Sequence, residues 1–347
     1  MIERKLESTI KSRFNSGKAI VLLGPRQTGK TTLLHKIASD EGEFLLLDCD
    51  DLLVREQLES ANTETIKQLI GKYKIVFVDE AQRVKNIGLI LKIITDRLKS
   101  VQLLVSGSSA LELASEINEP LTGRKWEYML YPISWSEFSE HFGYLKSLQQ
   151  LEQRIIYGMY PDVISSEGEE AKILKQLSNS YLYKDLLSLK GIRKPELLPK
   201  LLKALALQIG NEVSYNELAS LLQVSKDTIS SYIDLLEKAY ILFRLEPLSR
   251  NLRNEVSSNR KIYFYDTGIR NALISNFNPL SLRQDTGALW ENFLISERIK
   301  QLEYNESYGN SYFWRTTQQQ EIDYIEEHSG KLFCYEFKWN ENKKAKL

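Results

Sequence analysis

Through residues 1–132, short apolar runs alternate with stretches whose hydrophobic positions recur at helical intervals. Residues 19–23 are wholly apolar, and further strand-like runs occupy 44–47, 75–78, 101–106 and 126–130. Runs this short predict strands, buried on both faces where no polar residue interrupts them. Leu33, Leu34 and Ile37 mark one face of a helix between the first two runs. Strand alternating with helix predicts a parallel sheet with helices on both sides. At Pro132 the pattern changes, and 133–205 reads as mainly helical, interrupted at Gly158–Pro161, Gly191 and Pro195. A helical lid over the first domain is expected there.

From 206 to 262 the spacing changes again. Ser214 and Glu217 have the separation of a capping box ahead of Leu218, Ala219, Leu221 and Leu222. Ser225 caps a second helix, along which Ile229, Ile233, Leu236 and Tyr240 recur. Two tightly joined helices followed by strand-like 241–245 and 261–265 predict a winged helix-turn-helix, with Arg250, Arg253 and Arg260 in the wing. Its reading helix, 225–238, sets Lys226 and Lys238 against Asp227, Asp234 and Glu237, a net of −1. Phosphate contacts dominate DNA affinity, so this charge favours protein packing over DNA contact. In 263–347 a helix begins near Gly287 and runs through Leu294, Ile295 and Ile299. The alternation at 321–325 predicts a half-buried strand, and 331–339 follows a Ser329-Gly330 turn.

The candidate chemistry starts at the end of the first apolar run. Gly24-Pro25-Arg26-Gln27-Thr28-Gly29-Lys30-Thr31 is a complete phosphate-binding loop in the strand–loop–helix setting it requires, and Thr32 continues onto the helix. Its glycines let main-chain N–H groups turn toward phosphate oxygens, and the helix N-terminus adds partial positive charge. Lys30 can reach the β- and γ-phosphates, and the Thr31 hydroxyl can ligate Mg²⁺. ATP and Mg²⁺ are therefore the expected cofactors. Asp79 and Glu80 end the third apolar run, where Asp79 would share the metal with Thr31 and Glu80 would act as general base on water. The run at 101–106 leads into small hydroxyl residues. Ser108 is the candidate for positioning that water, Ser106 is the runner-up, and simple helix capping is the alternative. Arg124 could add a guanidinium to the transition state in its own subunit or in a neighbour's within a homo-oligomer, or serve structurally. A second acid set lies in 263–347. Asp323 and Glu336 could share one sheet edge with Lys338, joined by Glu291 from the helix, as metal-assisted phosphodiester hydrolysis requires, or the charges could form a solvated face.

Composition narrows the class further. Lys plus Arg equals Asp plus Glu at 46 each, so no global basic field draws in nucleic acid. A hydrophobic content of 42% with 10% aromatics supports proper cores across the 347 residues, enough for several domains. No apolar run approaches the roughly 20 residues of a membrane span, and the charged N-terminus is unlike a secretory signal. Cys49 and Cys334 lie in strand-like runs and are expected as buried free thiols of a reducing compartment. His35, His141 and His328 are too scattered for a zinc site. A soluble cytoplasmic protein without a membrane partner is expected.

Several stretches carry a family resemblance: 23–31, Val78-Asp-Glu-Ala-Gln82, Ser106-Gly-Ser-Ser109, Gly123-Arg124, Tyr131-Pro132, 224–229, Tyr265-Asp-Thr-Gly268, Trp290-Glu-Asn-Phe293 and Glu336-Phe-Lys338. Together they resemble the prokaryotic AAA-type ATPases that join a phosphate-loop domain to a winged helix and a C-terminal domain like the PD-(D/E)XK nucleases. The resemblance implies an α/β fold: a P-loop ATPase core at 1–132, a helical lid at 133–205, a winged helix-turn-helix at 206–262 and a nuclease-like domain at 263–347. It implies Lys30, Thr31, Asp79 and Glu80 in the roles above. It also puts Glu291, Asp323, Glu336 and Lys338 at positions that carry metal chemistry, with a second divalent ion as their cofactor. Only nine residues follow Lys338, so that last domain is expected to be incomplete. The expected activity is Mg²⁺-dependent ATP hydrolysis coupled to motion of the C-terminal modules. The alternatives are an ATP-gated DNA nuclease or DNA-binding ATPase, and a slow nucleotide switch acting on a protein partner.

Overall fold

The computed structural model describes residues 1–107, 117–181, 194–248, 260–316, 318 and 320–340, and divides into a unit Met1–Tyr131 and a unit Pro132–Leu347. Ser108, Gly191, Arg250 and Arg253 lie outside the described residues.

In the first unit the apolar runs form a parallel sheet. Its elements are α1 (Leu6–Ser12), β1 (Ala19–Leu23), α2 (Lys30–Glu41), β2 (Phe44–Asp48), α3 (Leu52–Glu59), α4 (Thr63–Ile70), β3 (Ile75–Asp79), α5 (Ile87–Arg97), β4 (Gln102–Gly107) and β5 (Lys125–Met129). The strand order is β2-β3-β4-β1-β5. After β1 the chain crosses to the far edge, and β1 ends with β4 and β5 as neighbours. That reversal of direction leaves a crevice outside the carboxyl end of β1, where open α/β sheets bind ligands. β1, β3 and β4 are buried along their whole length. On one face Val21, Leu23, Val76, Val78 and Val105 join Ile66, Ile70, Ile87 and Leu91 of α4 and α5 in a single core. Each such side chain contributes about 1.5–3 kcal/mol when fully buried. Helix α2 packs against β3 and β4, burying Leu33, Leu34 and Ile37. Local signals set the helix starts. Asp51 caps α3, and Asn62 caps α4 by accepting from the Glu64 and Thr65 amides.

The second unit holds α6 (Trp135–Phe142), α7 (Tyr144–Tyr157), α8 (Pro161–Ser165), α9 (Glu170–Gln176), α10 (Leu197–Leu207), β6 (Glu212–Val213), α11 (Tyr215–Leu222), α12 (Lys226–Lys238), β7 (Leu242–Pro247), β8 (Arg260–Phe264), α13 (Thr267–Leu273), α14 (Thr286–Tyr304), β9 (Asn310–Arg315), β10 (Glu321–His328) and β11 (Lys331–Tyr335). Ser134 and Glu137 make a full capping box at α6, and Ser214 and Ser225 cap α11 and α12. The helices expected as a lid belong to this unit, where α7, α9 and α10 pack around α13. Asp266 ties that group together. Its carboxylate caps α13 through the Ile269 amide at 3.0 Å and accepts from the Met159 amide at 2.7 Å. The break at Gly158 serves this contact, because a Cβ there would lie 2.1 Å from Asp266 Oδ1.

All described strands of this unit form one sheet, ordered β11-β10-β9-β7-β8-β6. β7 pairs antiparallel with β8 and parallel with β9, so the ladder runs straight through the boundary expected at residue 262. β11 is an edge strand, exposed over most of its length. Cys334 on it is accordingly exposed rather than buried, which corrects one of the two thiol expectations, while Cys49 is buried. Among the described residues no helix is long and apolar enough to cross a membrane.

Candidate functional site

The phosphate loop begins where β1 runs out. Gly24 adopts φ +146°, and a Cβ on it would stand 2.2 Å from the carbonyl oxygen of Leu130. The neighbouring ladder bond explains the closeness, since the Leu130 amide donates to Leu23 O at 2.8 Å and holds the end of β5 against the loop. Gly29, at φ +91°, turns the chain into α2, whose first turn has no side-chain cap. Its amides are left facing outward for an anion. Lys30 is buried and donates to the carbonyls of Gly24 at 3.0 Å and Pro25 at 2.7 Å, spanning the loop. Thr28 is buried and bonds back to Pro25 O at 2.8 Å. Arg26 is half-buried, whereas Gln27, Thr31 and Thr32 are exposed around the rim.

Beside this loop lie the acids at the end of β3. Thr31 Oγ1 donates to Asp79 Oδ1 at 3.0 Å, and Ser106 on β4 donates to the same oxygen. Ser106 Oγ in turn accepts the Glu80 amide at 3.1 Å. Glu80 takes a left-handed conformation, φ +50° and ψ 43°, so the adjacent carboxylates leave the strand in different directions. Glu80 accepts from Gln82 Nε2, two residues further along. Burial pushes the Asp79 carboxyl above its ordinary range, against the hydrogen bonds from Ser106 and Thr31. A divalent cation at this point would relieve that buried charge. The Thr31 hydroxyl and the Asp79 carboxylate are hard oxygen donors of the kind Mg²⁺ takes, so these residues fit the metal.

Ser108 lies outside the described residues, and the hydroxyl found between the two acids is that of Ser106. Arg124 is not brought to this site. The Ala19 amide donates to Arg124 O at 2.9 Å, which sets Arg124 level with the start of β1, roughly 13 Å of strand from Leu23. Its guanidinium bonds Asp96 at 2.6 Å. The structure thus sets Arg124 apart from the loop and pairs it with an acid of α5. One arginine escaped the sequence reading. Arg4 is buried and donates to Thr28 O and to Tyr131 O, each at 2.6 Å, binding the phosphate loop to the end of the unit. Nothing local in 1–7 marks it, because both of its acceptors are main-chain carbonyls distant in sequence.

The C-terminal residues do assemble. Glu291 lies on α14, Asp323 on β10, and Glu336 and Lys338 just past β11. Lys338 Nζ stands 2.5 Å from Glu336 Oε1 and 3.6 Å from Asp323 Oδ2, while the Phe337 amide donates to Asp323 Oδ2 at 2.7 Å. Glu291 faces a different cation, Lys261 of β8, at 3.1 Å, and accepts the Tyr263 hydroxyl. Among the described residues no group of three or more His, Cys, Asp or Glu is arranged to hold a metal ion. Apart from Glu336 Oε2, the oxygens named here face amino groups, an amide and the Tyr263 hydroxyl, so the set does not fit the second divalent metal expected for it. On α12 the charge picture also changes, since Asp234 and Glu237 both pair with Arg244 of β7. Lys226, Asp227, Ser231 and Lys238 remain exposed.

Residues 16–139 match the AAA domain family, residues 148–280 a domain of unknown function (DUF8612), and residues 286–347 another (DUF4143). An uncharacterized protein of Mycobacterium tuberculosis is 27% identical over 344 residues, which cover 97% of this chain and 74% of that protein. An uncharacterized protein of Methanocaldococcus jannaschii is 26% identical over 311 residues, covering 83% and 68%. Among solved structures, a Walker-type ATPase of Pyrococcus abyssi superposes with a TM-score of 0.55 at 17% identity, over 79% of this chain and 96% of that one. The parallel sheet matches the fold of that Walker-type ATPase. Together with the AAA domain match, it supports an AAA-type ATPase, and so ATP binding and hydrolysis in general terms.

Proposed function

We propose that this chain is a Mg²⁺-dependent ATPase whose reaction centre is the loop 24–32 together with Asp79, Glu80 and Ser106. The observation that carries this reading is the unbroken hydrogen-bond chain Thr31–Asp79–Ser106–Glu80 beside the buried Lys30. Lys30 exchanges its loop carbonyls for β- and γ-phosphate oxygens, and the uncapped amides of α2 receive the remaining phosphate charge. Thr31 and Asp79 would hold Mg²⁺, which would supply charge neutralisation on the phosphates. Ser106 fixes both acids at once, as donor to Asp79 and acceptor from the Glu80 amide. Glu80, turned away from the metal pair, orients and deprotonates the attacking water. Arg4 holds the Thr28 carbonyl from outside, which keeps the loop's amide groups free to turn toward the phosphates.

In the second unit, the order α10-β6-α11-α12-β7-β8, with β6 paired to β8, supports a winged helix-turn-helix reading. The succession α14-β9-β10-β11 supports a nuclease-like frame. Hydrolysis is proposed to drive motion of these modules. The reading is tested by ATP turnover and by calorimetric ATP binding, each with and without Mg²⁺. Lys30→Ala should lose nucleotide binding, and Glu80→Gln should bind ATP with turnover lowered about 100-fold or more. Undiminished hydrolysis by Glu80→Gln would remove Glu80 from the role of base, and absence of nucleotide binding by the wild type would overturn the proposal.

A further inference from the structure

The acid set of the second unit contains a residue that its nuclease-like pattern does not call for. Lys261 enters from β8, its side chain only 1% exposed, with Nζ 3.1 Å from Glu291 Oε1 and paired as well to Glu321 of β10. The Tyr263 hydroxyl, two residues along the same strand, shares the Glu291 oxygen. Lys338 bridges the other pair, Asp323 and Glu336, and the Phe337 amide completes the coordination of Asp323. Each lysine thus joins two carboxylates from different elements. We propose that the Lys261 ammonium stands where a divalent cation would, so that this carboxylate cluster is bridged by the protein's own lysines and takes up no Mg²⁺ or Mn²⁺.

Two physical points support the substitution. An ammonium has three donors and a compact charge, so it can bridge carboxylates from α14 and β10 much as a metal would. Finally, a dication on Glu291 would have to approach an oxygen already in contact with a fixed positive charge, and in a buried site that repulsion is weakly screened. Glu336 Oε2 is buried without a hydrogen bond, but one orphan oxygen is not a dication site. The inference is independent of the nucleotide reading.

The test is Mn²⁺ titration of the nucleotide-free full chain, with free Mn²⁺ followed by electron paramagnetic resonance and Tm followed in parallel. Wild type should show no Mn²⁺ binding that Asp323→Asn removes. Lys261→Met, similar in length but uncharged, should gain Mn²⁺ binding about tenfold or more tighter than wild type, and its Tm should rise with Mn²⁺. Adding Glu291→Gln should erase the gain. Lys261→Arg keeps the charge and should behave as wild type. Wild-type binding that depends on Asp323, or a folded Lys261→Met with no gain, would overturn the proposal. If Lys261→Met does not fold, two comparisons still decide it. Wild type against Asp323→Asn must show no difference in Mn²⁺ binding, and Lys261→Arg must show no gain.

Discussion

Replacing Gly24 with alanine adds one methyl group at the point where the phosphate loop touches β5. The new carbon would lie 2.2 Å from Leu130 O. A close C–H···O contact needs roughly 3.3 Å, so one of the two segments must retreat by about 1 Å. The retreat stretches the bond from the Leu130 amide to Leu23 O, now 2.8 Å, whose loss costs about 1 kcal/mol. Holding alanine at the φ of +146° that Gly24 adopts adds about 1–3 kcal/mol. A total destabilisation of about 2–4 kcal/mol follows from these terms. The displacement also moves Gly24 O, an acceptor of Lys30, so ATP affinity should fall by about tenfold or more. Urea denaturation measures the first effect, and calorimetry on still-folded protein at low temperature measures the second. A Gly24→Ala protein with the wild-type urea midpoint and wild-type ATP affinity would refute the geometric reasoning.

Arg4→Gln removes charge-assisted bonds to Thr28 O and Tyr131 O, each worth about 1.5–3 kcal/mol. Weaker ATP binding is expected, and millimolar guanidinium should partly restore it in Arg4→Ala; no rescue would leave Arg4 a packing residue only. Asp285 gives an acid-stability signature. Burial would raise its carboxyl, but hydrogen bonds from Arg283 and Arg270 hold it at about 2, below its ordinary 3.8. Because the folded value is the lower one, its contribution is present above about pH 4 and disappears as pH falls toward 2. Asp285→Asn should therefore cost on the order of 2 kcal/mol at pH 7 and little at pH 2, read from denaturant midpoints at both. The two thiols should separate kinetically. Cys334 is exposed, whereas burial and then the neighbouring Asp48 and Asp79 push the Cys49 thiol up to about 12. A disulfide reagent at neutral pH should titrate Cys334 in native protein and Cys49 only after unfolding, and equal rates would contradict this.

The first unit was legible in the sequence because its signals are local. Apolar runs mark buried strands, a contiguous loop carries the proposed phosphate site, and adjacent acids end a strand. What escaped the reading depends on distance in the chain. Arg4 works through carbonyls of Thr28 and Tyr131, and no side-chain spacing encodes such a bond. Arg124 stands near loop-like residues in sequence, yet the parallel register sets it at the opposite end of β1. The charge count on the helix 225–238 misjudged its surface because Asp234 and Glu237 are taken up by Arg244 of the next strand. Lys261 was hidden for the same reason: it sits in a strand read only for its apolar neighbours, and its partners arrive thirty and sixty residues later.

The parallel pairing of β7 with β9 also bears on how the second unit can be handled. β7 pairs with β8 through Leu242–Leu245 and with β9 through its last two residues, Glu246 and Pro247, so it behaves like the spine of a book whose pages come from different stretches of chain. Cutting the polypeptide at residue 262 would split β8 and strip β7 of its far neighbour, exposing raw backbone on both sides. Fragments made at that point are expected to clump, and torque applied to either cover should turn the whole volume.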